Sequence, residues 1–253
     1  MPRKAQTESV ADTDAAPGGA AAVDRALTLL AAFRAGDVAL TLAELAARTQ
    51  LYKSTALRLL ASLEHAALLR KLDDGRYALG SEVARLHGLY AASFSLDHVV
   101  LPVLRSLVAA TGESASYHVR QGTGDGWARL CLYRVDSPHT VRDHVRAGDL
   151  LPADRGAGAR VLIAYGTDGV DAGTKASESL SRKDRKLYAT IRAQGYCALI
   201  GDRSAELGGI SAPVFHADGS LAAAVTLTMP THRYDAGFVP AVREAATNLS
   251  GRL

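Results

Sequence analysis

The alternation of apolar and polar positions between residues 40 and 80 predicts two short amphipathic helices followed by a hairpin. Thr41 and Glu44 stand three residues apart, beside the apolar Leu42 and Leu45, which is the spacing of a capping box. A helix is therefore predicted to begin near Thr41. A second helical pattern follows residue 50, and its apolar positions are predicted to share a core. These positions are Leu57, Leu60, Ala61 and Leu68.

The polar side of the second helix carries short hydroxyls and long cations, namely Lys53, Ser54, Thr55, Arg58 and Ser62. At a helix N-terminus, such side chains can reach phosphates and base edges in a major groove about 12 Å wide. Residues 73–75 have the sequence Asp-Asp-Gly and separate two strand-like runs, 68–72 and 76–79, which predicts a hairpin. The hairpin carries Arg70, Lys71 and Arg76. The whole pattern is typical of a winged helix-turn-helix that binds DNA.

Charge alone does not decide whether this segment binds DNA. Residues 20–80 hold eight Lys or Arg against six Asp or Glu, a net of only +2 in a chain whose net charge is +3. The argument therefore rests on where the cations lie. The alternative is a small-molecule-binding protein or interaction adaptor without sequence-specific DNA binding, which predicts no salt-dependent binding of DNA.

Three further segments complete the first part of the chain. Residues 1–19 contain hardly any large apolar side chain and are predicted to form a disordered, mobile tail. Residues 21–33 are predicted to form the first helix of a DNA-binding domain that spans 20–80. Its apolar face comprises Val23, Ala26, Leu27, Leu30 and Ala31. Helical spacing continues after the hairpin, so a linker helix is expected within residues 81–95.

The second domain, residues 96–253, is predicted to be an α+β domain that combines an antiparallel sheet with helices. Strands are predicted at 114–120, 128–135, 139–146, 209–215 and 221–229, and helices at 96–110, 156–165, 182–194 and 236–253. The glycine-rich residues 122–126 are predicted to be a turn, because the helix and lysine of a nucleotide-binding loop do not follow them. We expect the helices to gather on one face of the sheet.

Composition narrows the class of protein. A chain of 253 residues with 48% hydrophobic content can bury two ordinary cores. Its longest apolar runs, such as 221–227, are far shorter than the roughly 18 residues of a membrane span, and the N-terminus lacks an apolar signal core. A cytoplasmic location without membrane association is expected. Cys131 and Cys197 are too few for a disulfide framework and are expected to be buried.

No metal, cofactor or catalytic constellation is expected. The eight histidines are scattered, and His139 and His144 would point to opposite faces of a strand. Neither a nucleophile elbow nor paired carboxylates in a glycine-rich context are found. The chain is therefore not expected to be an enzyme.

Short segments in both halves of the chain carry a family resemblance. In the first half they are 23–27 (VDRAL), 42–46 (LAELA), 51–60 (LYKSTALRLL) and 75–80 (GRYALG); in the second they include 101–104 (LPVL), 134–138 (RVDSP), 191–196 (IRAQGY) and 211–214 (SAPV). In order and spacing they resemble the isocitrate-lyase-repressor (IclR) type of bacterial transcriptional regulator. The resemblance implies a winged helix-turn-helix, a linker helix and a GAF-like effector-binding domain for a small organic acid or aromatic compound. It also implies dimers or tetramers on palindromic operator DNA, near catabolic genes.

The strand at 221–229 is predicted to line a small-molecule pocket. Because side chains alternate along a strand, Ala222, Ala224, Thr226 and Thr228 share one face. Small residues beside two hydroxyls leave room for a modest ligand, although threonines are also simply good strand formers. The turn at 154–158 offers backbone amides at the start of a helix, which can hold a carboxylate or only cap the helix.

The resemblance implies effector contacts at seven positions: Leu151, Ala157, Gly158, Leu199, Gly209, Thr226 and Thr228. The family pocket often has a cysteine where Gly209 stands and an acidic residue where Leu199 stands. The polar clamp for small 2-oxo acids is therefore expected to be incomplete here. We predict a more apolar pocket that takes a larger, aromatic ligand.

Overall fold

The computed structural model describes residues 8–13, 15–34, 36–93, 96–122, 127–166 and 181–252. Contacts divide the chain into two compact units, residues 1–94 and 95–253. Of the predicted turn at 122–126, only Gly122 lies within the described residues, and residues 1–7 of the predicted tail lie outside them.

The described part of the first unit consists of helices and one hairpin. The helices are α1 (Val10–Thr13), α2 (Ala21–Ala31), α3 (Leu42–Thr49), α4 (Lys53–His65) and α5 (Ser81–Ser93), and the strands are β1 (Leu69–Lys71) and β2 (Tyr77–Leu79). Leu29, Leu45, Leu60 and Leu69 are fully buried in one cluster. Each comes from a different element, so this cluster holds α2, α3, α4 and the hairpin together.

The capping box at the start of α3 is confirmed. The Glu44 N–H donates to the Thr41 hydroxyl at 3.2 Å, and the Thr41 N–H donates to the Glu44 carboxylate at 2.8 Å. The hairpin is also confirmed, with Arg70 opposite Ala78 in an antiparallel pair. Gly75 in its turn has φ +81°, a conformation that glycine adopts without steric cost. The predicted linker helix is present as α5.

The buried faces of α2 and α4 differ from the prediction. On α2, Leu29 is buried, whereas Val23 and Leu27 are each 54% exposed. On α4, Leu57 is 46% exposed and Ala61 is also exposed. Both helices carry more apolar residues than one buried stripe can use, so the apolar pattern did not fix their rotation. The buried stripe of α4 is Ala56, Leu60 and Leu63, with helical spacing of four and three residues.

Part of the predicted tail is ordered. Within it, α1 packs against α2, with Ser9 and Ala11 buried. The Arg25 guanidinium of α2 pairs with the Asp12 carboxylate at 2.7 Å. The prediction of a mobile tail is therefore wrong for residues 9–13, because the single helical turn α1 packs against α2 and forms an ion pair with it.

The second unit is a six-stranded antiparallel sheet with helices on both faces. Its elements are α6 (Leu96–Thr111), β3 (Ser114–Gln121), β4 (Ala128–Val135), β5 (Leu150–Leu151), α7 (Ala157–Tyr165), α8 (Arg182–Gln194), β6 (Cys197–Ile200), β7 (Leu207–Phe215), β8 (Leu221–Pro230) and α9 (Val239–Leu249). The strand order is β5-β4-β3-β8-β7-β6. The prediction of helices on one face is wrong. Helices α6 and α9 share a core with Val225 and Leu227 of β8, whereas α7 and α8 share one with Ala224.

Three local predictions in this unit need correction. Residues 139–146 do not form a strand, because the outer edge of β4 pairs with Leu150–Leu151 instead. Strand β6 was not predicted, although it is paired along β7. The last helix begins only at Val239, after a short 3₁₀ turn at Ala236–Phe238. In contrast, α8 ends as predicted at Gly195, which adopts φ +79°.

No helix among the described residues combines the length and apolar content needed to cross a bilayer. The same residues contain no group of three or more His, Cys, Asp or Glu placed to bind a metal ion. Cys131 and Cys197 are buried and free.

Candidate functional site

The N-terminal turns of α4 form an exposed polar surface. Lys53, Ser54 and Arg58 are exposed and Thr55 is half-buried, while the buried stripe of the helix faces the core. None of the ion pairs among the described residues involves Lys53 or Arg58. These four side chains are therefore grouped on one surface, as predicted, and no carboxylate of the described residues neutralises the two cations.

Leu57 belongs to the same surface and was missed as a candidate. Its side chain is 46% exposed, one residue before Arg58 on the outward side of the helix. Leucine cannot hydrogen-bond a base, but apolar side chains in the major groove contact the methyl group of thymine. The apolar pattern of the sequence predicts Leu57 to be a core residue, so nothing in the sequence indicates that it lies on this surface.

The hairpin carries the other three predicted DNA contacts. Arg70, Lys71 and Arg76 are exposed on β1 and beside β2. The Arg76 guanidinium pairs with the Asp74 carboxylate of the turn at 2.7 Å, with about half of each side chain exposed. An exposed ion pair of this kind contributes little stability. The Arg76 guanidinium can therefore leave Asp74 and bind a DNA phosphate instead. Arg70 and Lys71 have no ion pair among the described residues.

A second candidate site is a cavity beside the sheet of the second unit. It lies between β3, β4, β7 and β8 on one side and the start of α7 on the other. Six of the seven predicted effector contacts line it: Leu151, Ala157, Leu199, Gly209, Thr226 and Thr228. The pairing of β8 explains why they meet, since Thr226 stands opposite Ser116 of β3 and Ser211 of β7, and Thr228 opposite Gly209. The volume is about 30 Å³, which is room for about two water molecules.

The seventh predicted residue, Gly158, lies in the first turn of α7 against the cavity. A Cβ added there would come within 2.7 Å of Thr226 Oγ1 and within 2.7 Å of Arg129 Nη1. Thr226 Oγ1 is 2.9 Å from Ser211 Oγ, and the Ser211 hydroxyl donates to the Val225 carbonyl. Gly158 is thus required by the close approach of the helix to these side chains.

The cavity is lined by many charged groups, so the expectation of a more apolar pocket is wrong. Its ionisable lining residues are His118, Arg129, Arg134, Asp143, Asp202 and Arg203. None of them was a candidate in the sequence. One pattern could have indicated the polar face: Ser114, Ser116 and His118 alternate along β3 with buried apolar residues. The sequence did not reveal that β3 also pairs with β8, which brings these side chains next to Thr226.

Both lining carboxylates are already paired. The buried Asp143 accepts hydrogen bonds from the guanidinium groups of Arg134 and Arg203. Asp202 pairs with Arg160 of α7 at 3.0 Å and accepts a hydrogen bond from the Gly156 N–H at 2.6 Å. Burial alone would raise the pKa of Asp202, but these donors hold it below its usual 3.8.

Arg129 differs from the other cations of the cavity. It is 3% exposed, and its Nε has no hydrogen-bond partner. Burial, followed by the neighbouring charge of Arg203, lowers the pKa of Arg129 to about 10, so the guanidinium stays protonated at neutral pH. Burial and the charge of Arg129 also lower the pKa of His118 well below 6.5. His118 is therefore neutral, with its Nε2 2.8 Å from Ser116 Oγ.

Comparison with known proteins places both units in one family. The model of the IclR helix-turn-helix domain matches residues 22–73, and that of the bacterial transcriptional regulator IclR C-terminal domain matches residues 88–251. The chain is 25% identical to the transcriptional regulator KipR of Bacillus subtilis, over 85% of this chain and 90% of that one. It is 26% identical to BhcR of Paracoccus denitrificans, over 92% and 87%.

Solved structures share the fold. An IclR-type regulator from Silicibacter aligns with a TM-score of 0.75 at 26% identity, covering 91% of this chain and 95% of that one. An IclR homologue from Microbacterium hydrocarbonoxydans, solved with 4-hydroxybenzoate, aligns with a TM-score of 0.73 at 22% identity, covering 90% and 97%.

Proposed function

The chain belongs to the IclR family of bacterial transcriptional regulators, and we propose that it couples an effector to operator DNA. In this proposal the first unit binds DNA through α4 and the hairpin, and the second unit binds a small organic effector in its cavity. The observation that carries the DNA-binding part is the exposed start of α4, where Lys53 and Arg58 have no ion pair among the described residues. In this proposal the protein acts by binding and not by catalysis. It would be located in the cytoplasm, where bacterial DNA lies.

The expected contacts follow from the chemistry of each side chain. Arg58 can donate two hydrogen bonds to a guanine edge, and Ser54 and Thr55 can donate to phosphates or bases. Arg70, Lys71 and Arg76 of the hairpin would contact phosphates, which position the protein without reading the sequence. Leu57 would pack on a thymine methyl group.

The target and ligand are proposed at the level of class. Relatives include proteins named as the glycerol operon regulator of Streptomyces coelicolor and the pca operon regulator of Acinetobacter baylyi. These names support catabolic genes as the target. The ligand of the Microbacterium structure supports a small organic or aromatic effector.

A salt series of DNA-binding measurements tests this function. Fluorescence anisotropy with duplexes from the gene's own upstream region should show tight binding that weakens as salt rises. Arg58→Ala should lose roughly tenfold or more of the preference for the specific duplex, whereas Arg70→Ala should weaken binding to every duplex alike. Lys183→Ala, an exposed cation of α8, is the matched control and should bind as the wild type does. Binding that ignores salt and both substitutions would favour the adaptor alternative.

Exposed apolar side chains of the first unit support a homodimer. Val23 and Leu27 of α2 are each 54% exposed, and Leu86 and Leu89 of α5 are 46% and 53% exposed. Exposed apolar groups on a helix can mark an interaction surface. A dimer formed here would present two α4 helices to the two halves of a palindromic site, and two such dimers would make a tetramer.

Sedimentation velocity tests this interface. Leu27→Arg and Leu86→Arg together should shift the protein to smaller species and weaken operator binding. Val141→Arg, at a residue 61% exposed in the second unit, should leave the first-unit dimer intact. An unchanged distribution for the double variant would exclude this surface.

A further inference from the structure

Arg129 is a buried charge that has no hydrogen-bond or ion-pair partner within the part of the chain that the structure describes. Its side chain takes part in none of the hydrogen bonds or ion pairs found among the described residues, and Nε is shielded from solvent. An unpaired charge in a protein interior is costly, and proteins rarely keep one without compensation. Because the described residues supply no anion to Arg129, the residue is a candidate binding site for the anionic group of a ligand.

The surroundings of Arg129 add positive potential. Its Nη1 and Nη2 lie 2.7 and 3.3 Å from the points where Cβ atoms on Gly158 and Gly156 would stand, so the guanidinium abuts the first turn of α7. The first N–H groups of a helix have no partner within the helix, and they attract anions. Asp202 already accepts the Gly156 N–H at this helix start, but its charge is paired with Arg160. Arg129 and the remaining free N–H groups therefore still favour one further anion.

The charges of the cavity fix how many anionic groups are missing. Arg134 and Arg203 are balanced by two carboxylates, since Arg134 pairs with Asp136 and Asp143 and Arg203 pairs with Asp143. Asp202 is paired with Arg160 and accepts the Gly156 N–H. His118 is neutral. Among the lining residues, only the charge of Arg129 is left without a counter-ion, so one carboxylate completes the site. A second carboxylate would lie near Asp143 and Asp202, which already pair with the other arginines, and these like charges would repel it.

We infer, building on the effector role proposed above, that the cavity selects an organic acid with a single carboxylate, and that Arg129 is the residue that binds this carboxylate. Thr226 and Thr228 then face the remainder of the acid and can hydrogen-bond to its polar substituents. The cavity volume of about 30 Å³ requires side chains to move apart for any acid beyond the smallest. Binding of the acid should therefore be accompanied by rearrangement of the cavity wall.

Thermal unfolding of the full chain with defined probes tests the inference. The probes are pyruvate and benzoate as monocarboxylates, benzamide as the neutral analogue of benzoate, and succinate as a dianion. We expect at least one monocarboxylate to raise the Tm, with benzamide and succinate binding at least tenfold more weakly. Arg129→Met should weaken binding of that acid at least tenfold, and Arg185→Met on the exposed side of α8 should not.

Two further readouts separate a ligand contact from a structural role. Without acid, Arg129→Met should melt no lower than the wild type, because it removes an unpaired buried charge, and it should bind operator DNA normally. The inference is overturned if no monocarboxylate raises the wild-type Tm, if benzamide or succinate binds as well as the acid, or if Arg129→Met keeps its affinity. Intact DNA binding in any of these cases would leave the DNA-binding proposal standing. An acid that binds through Arg129 but leaves DNA affinity unchanged would instead support the inference and contradict the regulatory proposal.

Discussion

Gly158 stands where no side chain fits without displacing a neighbour. A Cβ there would lie 2.7 Å from both Thr226 Oγ1 and Arg129 Nη1. Gly158→Ala should therefore lower the free energy of unfolding by about 1–3 kcal/mol through overpacking, and should weaken acid binding. Urea denaturation measures the loss.

A second glycine provides the control for this substitution. Gly88 lies in α5, and a Cβ on it would meet nothing within 4 Å. Gly88→Ala should raise the free energy of unfolding by about 0.4–1 kcal/mol, since alanine favours the helix and restricts the unfolded chain. Equal effects of the two substitutions would show that the close packing around Gly158 has no energetic consequence.

His118 should make stability depend on pH. Burial, followed by the charge of Arg129, lowers its pKa well below 6.5 in the folded protein, whereas in the unfolded chain it titrates near 6.5. The unfolded state then binds the extra proton first as the pH falls. Stability due to His118 is complete above pH 6.5 and falls by up to about 1.4 kcal/mol per pH unit below it.

Urea denaturation between pH 5 and pH 7.5 measures this contribution. His118→Gln should flatten the decrease below pH 6.5 relative to the wild type. His98→Gln, at an exposed position of α6, should leave it unchanged. A wild-type slope that persists in His118→Gln would contradict the assignment to His118.

The residues that line the cavity of the second unit were only partly predictable. The alternation along β8 and the family resemblance pointed to Thr226 and Thr228, and the structure places both at the cavity. Arg129 and His118 were missed because they are separated from Thr226 by about 100 residues of chain, and only the strand order β4-β3-β8 brings them together. Periodicity reports which side of a strand a residue occupies, but not which strand is its neighbour.

At the level of elements, local chemistry predicted boundaries well and packing poorly. The capping box fixed the start of α3, and Gly195 fixed the end of α8. The prediction of a strand at 139–146 was wrong because a strand must pair with the free edge of a neighbouring strand. The outer edge of β4 is already paired with β5. The predicted buried faces of α2 and α4 were wrong because each helix carries several apolar stripes. Contacts with other elements decide which stripe is buried.

The capping box at the start of α3 should contribute to stability. Thr41→Ala removes the hydroxyl that accepts the Glu44 N–H and should lower the free energy of unfolding by about 1 kcal/mol. Glu44→Gln should have a smaller effect, because glutamine can also close the box. Since α3 supports α4, DNA binding should weaken for Thr41→Ala mainly near its unfolding temperature. Circular dichroism melts and anisotropy at two temperatures measure both effects.

At the scale of the whole molecule, the two-unit organisation and the family were predictable because they rest on many independent segments. The winged helix-turn-helix and the α+β domain with its antiparallel sheet are both present, and family models match both parts. The helices on both faces of the sheet were not predicted. A strand buried on both faces shows a nearly continuous run of apolar and small residues, as β8 does, and that run was interpreted as alternation.

Coupling between the acid and the operator should be reciprocal. If the acid changes operator affinity by some factor, thermodynamic linkage requires the operator to change acid affinity by the same factor. Measuring acid affinity with and without saturating operator duplex, and operator affinity with and without saturating acid, should give two equal ratios for the wild type. Arg129→Met should bring the operator ratio to one while retaining operator binding, and Arg58→Ala should retain acid binding. Unequal ratios would mean that the two ligands are not linked through a shared equilibrium of this chain, for example because one of them changes its oligomeric state at the concentrations used.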